Sequence, residues 1–238
     1  MIKIALCSEK MICNAGAAVA LEMLQRIEFN ALVDEHLGKR VKLFGYDYSD
    51  IFKSHFITQL SGGSCVEDVQ QLREAWKDHP RFKVCSSDTV LRSLSELKVS
   101  DSVFTTESGV RHRFNINTKM NELLLKVNVK TGRLQPGISY TLDYDNVITE
   151  CEKYDAQFTY KKTQGYQSGV ATIGNLPVYV EGRNGNSNAR FRMKETLENC
   201  LNLLKKENVA VSKFRSDSAA YLQDVIEFLQ GENITFYI

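Results

Sequence analysis

The sequence predicts an α/β fold in two parts, an all-helical N-terminal domain followed by a mixed sheet flanked by helices. Three observations carry this expectation. Apolar residues recur at helical spacing through the first hundred residues, the period switches to two after Pro136-Gly137, and amphipathic helical patterns then alternate with short apolar strands. A chain of 238 residues, 43% of them hydrophobic, has room for a core in each part. With 3 Pro, 14 Gly and 25% charged residues, collagen-like, low-complexity and wholly disordered chains are excluded.

Five helices are expected in the first part. Ala20, Leu24, Ile27 and Ala31 follow Asn14 at helical spacing and end at Gly38. A second helix runs from about Tyr48 to Leu60, closed by Gly62-Gly63. The third places Val66, Val69, Leu72 and Trp76 on one side and stops before Pro80. Ser86-Ser87-Asp88 offers an N-cap to the fourth, which aligns Val90, Leu94 and Leu97. After a polar stretch at 100–113, the fifth aligns Met120, Leu123, Leu124 and Val127 until Thr131-Gly132. The expected division is therefore 1–100 helical, 101–136 a connecting helical segment, and 137–238 the mixed sheet with its helices.

In the second part, Tyr140, Leu142 and Tyr144 alternate with Thr141, Asp143 and Asp145, as in a strand. Residues 168–174 and 176–182 read as a hairpin about Gly174-Asn175, with Pro177 placing the second strand at an edge or delaying its start. A helix with Met193, Leu197, Cys200, Leu201 and Leu204 on one face follows the polar loop 183–187. Then come a strand at 209–214, a helix bearing Leu222, Val225, Ile226 and Leu229, and a last strand at 234–238. Three meandering strands and two α/β units are also the element order of the ribonuclease H-like fold.

Formal net charge is +1. Residues 137–238 hold 11 Lys+Arg against 13 Asp+Glu, leaving 19 against 16 and all four His to residues 1–136. The direction suits an N-terminal half that meets phosphates and a C-terminal half that carries carboxylates. Cysteines 7, 13, 65, 85, 151 and 200 lack zinc or redox spacing and read as free thiols of a reducing cytosol. No apolar run is long enough to span a bilayer, and Met1–Cys7 does not read as a signal peptide, so a cytoplasmic, nucleoid-associated protein without a membrane partner is expected.

The second part has no His, no Ser-His or Cys-His pairing and no phosphate-binding glycine loop. Carboxylates remain. Asp143 and Asp145 share a strand face, and Asp217 follows a strand at its C-terminal end, where α/β sheets build sites. If those two strands are neighbours, Asp145 and Asp217 approach, and a hard cation such as Mg²⁺ or Mn²⁺ relieves their repulsion. Plainer roles stay open. Asp143 can face solvent, Asp145 can end a strand, Asp217 can cap the next helix, and Asn186, Ser187 and Asn188 can serve a turn.

Four blocks in order, Leu142-Asp-Tyr-Asp-Asn-Val147, Gly165-Tyr-Gln-Ser-Gly169, Glu181-Gly-Arg-Asn-Gly-Asn-Ser187 and Phe214-Arg-Ser-Asp-Ser218, resemble DDE-type insertion-sequence transposases, and among them the insertion-sequence thirteen-eighty family. Asp145-Asn-Val matches the family's Asp-Ser-Thr-like triplet without its Ser-Thr, which leaves Asp143 a rival for the first acid. Arg215-Ser-Asp217-Ser-Ala matches its second acidic block, and Gly185-Asn186 its Gly-Asn pair. The stretch 14–97, with Ser87-Asp-Thr-Val-Leu-Arg92, resembles its N-terminal helical region.

The resemblance implies DNA transposition by an RNase H-like core with two divalent ions, Mg²⁺ or Mn²⁺, held by Asp145 and Asp217. Such ions sit about 3.5–4 Å apart and neutralise the phosphate being displaced. It further implies double-stranded DNA with terminal inverted repeats as partner, and a homodimer. The family's third acid is a Glu on a helix after the fifth strand, a position Glu227 and Glu232 do not match, so a C-terminally truncated copy poor at cleavage is expected. The rival expectations are a catalytically silent DNA-binding or dimerising remnant and a metal-dependent nuclease on the same fold, such as a resolvase.

In the helical half, the helices at 66–77 and 87–97 are expected to form a helix-turn-helix-like unit. Thr89, Arg92, Ser93 and Glu96 would face a groove, with Arg73, Lys77, Arg81 and Lys83 near phosphates. Arg183 and Asn186 are the DNA contacts expected beside the carboxylates. The bland alternative for each is a solvated face.

Overall fold

The computed structural model describes residues 14, 16–41, 45–77 and 82–238. Cys7, Cys13, Pro80 and Arg81, and the N-terminal stretch read above, lie outside them. The chain divides into two compact units, Met1–Leu97 and Lys98–Ile238.

Every regular element described in the first unit is a helix: α1 (Gly16–Arg26), α2 (Phe29–Leu37), α3 (Tyr48–Leu60), α4 (Val69–Trp76, preceded by a 3-10 turn) and α5 (Ser87–Glu96). The single helix expected through Ala31 is broken. Glu28 takes a left-handed conformation at φ 56°, so the apolar stripe does not continue; Ala31 is exposed, while Leu32 and Val33 turn inward. Ala17, Ile57, Val69, Leu72, Trp76, Phe82 and Val84 form one core, and Ile51, Cys85 and Val90 another. Trp76 meets Phe82 edge to face at 5.4 Å. Ser86 caps α5 as expected, accepting from Thr89 N. The expected Val90–Leu94–Leu97 face is corrected: Ser93 is buried beside Val90, with its hydroxyl donating to Thr89 O at 2.7 Å, while Leu94 is exposed.

The second unit opens with two strands that the sequence reading lacks, β1 (Ser102–Thr105) and β2 (Arg111–Asn115), within the stretch expected to be a connection. Then come α6 (Thr118–Lys130), β3 (Ser139–Glu150), the two-residue β4 (Gln157–Phe158), β5 (Gln164–Ile173), β6 (Leu176–Arg183), α7 (Met193–Lys206), β7 (Ala210–Ser216), α8 (Gln223–Gly231) and β8 (Thr235–Tyr237). One mixed sheet runs β1-β2-β6-β5-β3-β7-β8, with β4 also paired to β5. β3 pairs antiparallel with β5 and parallel with β7, and β7 parallel with β8, an arrangement consistent with an RNase H-like sheet.

The core joins sheet and helices. The α7 face expected from the sequence, Met193, Leu197, Cys200, Leu201 and Leu204, is buried throughout, against Leu142, Tyr144 and Phe214 of the sheet. α6 is fastened to β6 by amides: Asn121 donates to Val180 O and accepts from Val180 N, and Asn128 donates to Pro177 O. These bonds satisfy strand groups that would otherwise be orphaned beside Pro177.

Candidate functional site

β3 and β7 lie side by side with Tyr144 opposite Ser216, and Ser216 Oγ donates to Tyr144 O at 3.0 Å. The next residue on each is a carboxylate, Asp145 and Asp217, and both line one cleft of about 570 Å³. Its other walls come from β4 and its turn, with Phe158 and Tyr160, and from the loop after β6, with Gly185, Asn186, Ser187 and Asn188.

Asp145 Oδ1 accepts from Asn146 N at 2.7 Å, and Asp217 Oδ1 from Ala219 N at 3.0 Å. The second bond makes Asp217 the cap of the 3-10 turn Ser218–Ala220, and the same residue lines the cleft. The other oxygen of each carboxylate makes no protein hydrogen bond, and neither residue forms an ion pair among the described residues. Asn146 also lines the cleft, and its Nδ2 is buried without a hydrogen-bond acceptor among the described residues. Two carboxylates thus line one polar hollow. Among the described residues no group of three His, Cys, Asp or Glu is placed to hold a metal ion.

Asp143 stands apart. Arg215, its register partner on β7, grips it with Nε at 2.6 Å and Nη2 at 2.8 Å. Asp143 raises the Arg215 guanidinium above its usual range.

Arg183, expected to contact DNA, is corrected: its side chain is fully buried. Nε donates to Glu181 Oε1 at 2.7 Å, Nη2 to Thr196 Oγ1 at 3.0 Å, and Nη1 to the carbonyls of Ala189 and Phe191 at 3.1 and 3.2 Å. Arg183 therefore pins the cleft-wall loop from beneath. Glu181, equally buried, also receives Tyr144, Tyr179 and Thr196 hydroxyls. Burial pushes the Tyr144 and Tyr179 phenols far upward, so both stay protonated donors.

The unexpected β1–β2 hairpin backs the same loop. His112 stacks on Phe191 at 4.0 Å and shares a 3.1 Å hydrogen bond with Ser187 Oγ. Burial, then the Arg183 charge, lowers the His112 pKa. Asn184 ties the loop to β2 and β4 by accepting from Arg113 N and donating to Gln157 Oε1, both at 2.7 Å. It also donates to Asn186. Gly185 fits because a Cβ there would lie 2.3 Å from Gln157 O and 2.4 Å from Gly165 O. The sequence signal for this backing was faint, the alternation of His112 and Phe114 with arginines.

No protein-family model matches the chain, and no curated protein matches it. Solved structures similar at a low level include two Mos1 complexes. The Mos1 mariner paired end complex with Mn is 10% identical with a TM-score of 0.31, covering 92% of this chain and 66% of that one. The Mos1 Strand Transfer Complex is 11% identical with a TM-score of 0.30, covering 98% of this chain and 78% of that one. This chain thus spans slightly under two thirds of the first of these. Likeness of this degree assigns neither family nor activity.

In the first unit, Arg73, Lys83 and Arg92 are exposed. Thr89 shares its hydroxyl with Ser86 Oγ at 2.9 Å, a capping role. Glu96 does not stand free toward a groove: Arg40 binds it at 2.7 and 2.9 Å. Lys77 is exposed, 3.7 Å from Glu74. Cysteines 65, 85, 151 and 200 are free thiols. No helix among the described residues is long and apolar enough to cross a membrane.

Proposed function

We propose that the cleft of Asp145 and Asp217 carries out metal-dependent phosphoryl transfer on DNA, the strand cleavage and joining of a DDE-type transposase. The observation that carries this reading is the register of two parallel strands, which brings to one polar cleft two carboxylates without ion-pair partners among the described residues.

The donor set fits Mg²⁺ or Mn²⁺: hard oxygens, each with one lone-pair-bearing atom uncommitted, and open space for waters. Asp145 and Asp217 would hold the metal, two ions by the resemblance, which supplies an activated water or 3′-hydroxyl and charge neutralisation at the phosphate. The chain's own residues do the positioning. Asn146, Asn186 and Asn188 line the path of the strand. Arg183 and His112 support that wall from behind. Asp143 serves by fixing β3 to β7 through Arg215, outside the metal set. In the first unit Arg73, Lys83 and Arg92 contact phosphates of double-stranded DNA, with Thr89 holding the start of α5. Association as a homodimer on paired repeat ends belongs to the same reading.

The test is nicking or joining of duplexes taken from the DNA flanking the gene, with Mg²⁺ or Mn²⁺. Activity abolished by Asp217→Asn and by Asp145→Asn, and kept by Asp143→Asn, supports the reading. No turnover with either ion, together with no Mn²⁺ binding by electron paramagnetic resonance, overturns it.

A further inference from the structure

Phe158 and Tyr160 are large aromatic side chains left 65% and 73% exposed at the cleft that holds Asp145 and Asp217. They are not loose. Between them Thr159 is buried, its N–H donating to Thr163 O at 2.8 Å, and Lys162 N–H closes the turn onto Thr159 O at 2.9 Å. Lys162 takes a left-handed φ of 63°, and the two threonine hydroxyls lie 3.2 Å apart. Beneath, the Gln157 and Gly165 carbonyls approach Gly185 too closely for any side chain there. The aromatics therefore stand on a braced hairpin, with little conformational freedom to lose when something covers them.

Their surroundings select the occupant. Lys161 lies over the Tyr160 ring at 5.9 Å, Lys162 is exposed, and neither is ion-paired among the described residues. The rest of the cleft is polar, with Thr159, Gln167, Asn186, Ser187 and Asn188. A protein partner would need a contiguous apolar centre, which two separated rings among amides and lysines do not provide. Aromatic faces interleaved with cations suit a polyanionic strand whose bases have flat, apolar faces. A duplex keeps those faces covered inside its own stack, so only an unpaired strand can use the rings.

We propose that the β4 hairpin is a base-stacking platform, and that the cleft takes DNA whose strand is unpaired beside the carboxylates. Phe158 and Tyr160 stack bases while Lys161 and Lys162 meet the adjoining phosphates. This rests on the phosphoryl-transfer reading only for the location of the reacting phosphate. The stacking itself does not need turnover.

The experiment is anisotropy of the full chain with labelled single-stranded, frayed-end and blunt duplex oligonucleotides in metal-free buffer, with 2-aminopurine quenching as the stacking signal. We expect tighter binding of the unpaired substrates and quenching of 2-aminopurine. Phe158→Ala with Tyr160→Ala should weaken that binding by about five- to hundredfold per stacked base and abolish quenching, with the blunt duplex changed less than about twofold. Phe158→Trp with Tyr160→Trp should restore both, whereas the paired leucine variant should not. Equal binding of all three DNA forms, or quenching that survives the alanine pair, overturns the platform. If DNA is cleaved but the aromatic variants change nothing, the platform falls and the catalytic reading stands. The platform stands alone if ring-dependent binding occurs without cleavage under Mg²⁺ or Mn²⁺. No binding of any DNA overturns both.

Discussion

Glu181 and Arg183, two residues apart on β6, form an ion pair from which water is excluded, with both side chains wholly buried. The pair survives burial because its remaining valences are filled: Glu181 receives three hydroxyls, and Arg183 donates to loop carbonyls and Thr196. It is also the support of the cleft wall, since the carbonyls it holds belong to the loop that faces Asp145 and Asp217.

Breaking one partner strands the other as a buried charge. Arg183→Met is expected to cost about 3–5 kcal/mol, and Glu181→Leu a similar amount. The double variant should recover much of that stability, because neither charge is then left alone. It should not recover the wall, whose carbonyls still lack their donor. Urea unfolding measures the first effect, and faster amide exchange across 186–191 in the double variant measures the second. A double variant no more stable than either single one would contradict this account.

The open choice between Asp143 and Asp145 has a direct test. Arg215 occupies both oxygens of Asp143, while one oxygen of Asp145 is uncommitted in the cleft. Asp145→Asn and Asp217→Asn should each remove Mn²⁺ binding followed by electron paramagnetic resonance, and Asp143→Asn should leave it unchanged. Loss of binding in the Asp143 variant would transfer the role to that residue.

Gly185 is a matter of space. A methyl group there would press into two backbone carbonyls of β4 and β5, which cannot swing aside as a side chain can. Gly185→Ala should destabilise the second unit by about 1–3 kcal/mol and push the loop off the sheet. Unfolding by urea together with amide exchange at Gln157 and Asn186 would record it. A variant of unchanged stability and exchange would mean the contact relaxes without cost.

Much of this was legible where a single periodicity governs burial. The β3 alternation, the α7 stripe and the strand-end placing of Asp217 follow from which side each residue turns to the core. The β1–β2 hairpin was not, because in β2 the buried positions include a histidine and alternate with arginines, and β1 is only four residues long. Arg183 was misread for a related reason. A lone arginine in a polar loop sequence signals solvent, and only the fold reveals that Glu181 shares its face of β6. The break at Glu28 carries no Gly or Pro to mark it, although beyond it Leu32 and Val33 are buried.

The same hidden histidine gives the second unit a pH dependence. His112 is buried against Phe191, and burial with the Arg183 charge holds its pKa below the ordinary 6.5. The unfolded chain therefore takes up a proton at a pH where the folded chain does not. Stability contributed by the neutral imidazole is full above about pH 6.5 and is lost as pH falls toward the lowered folded value. The urea midpoint should drop between pH 7.5 and 5.5, and His112→Gln, which keeps a polar group near Ser187 but cannot titrate, should flatten that part of the profile. If the wild type and the variant lose stability in parallel over this range, another group carries the dependence, and the imidazole behind Ser187 is not what couples the cleft wall to pH.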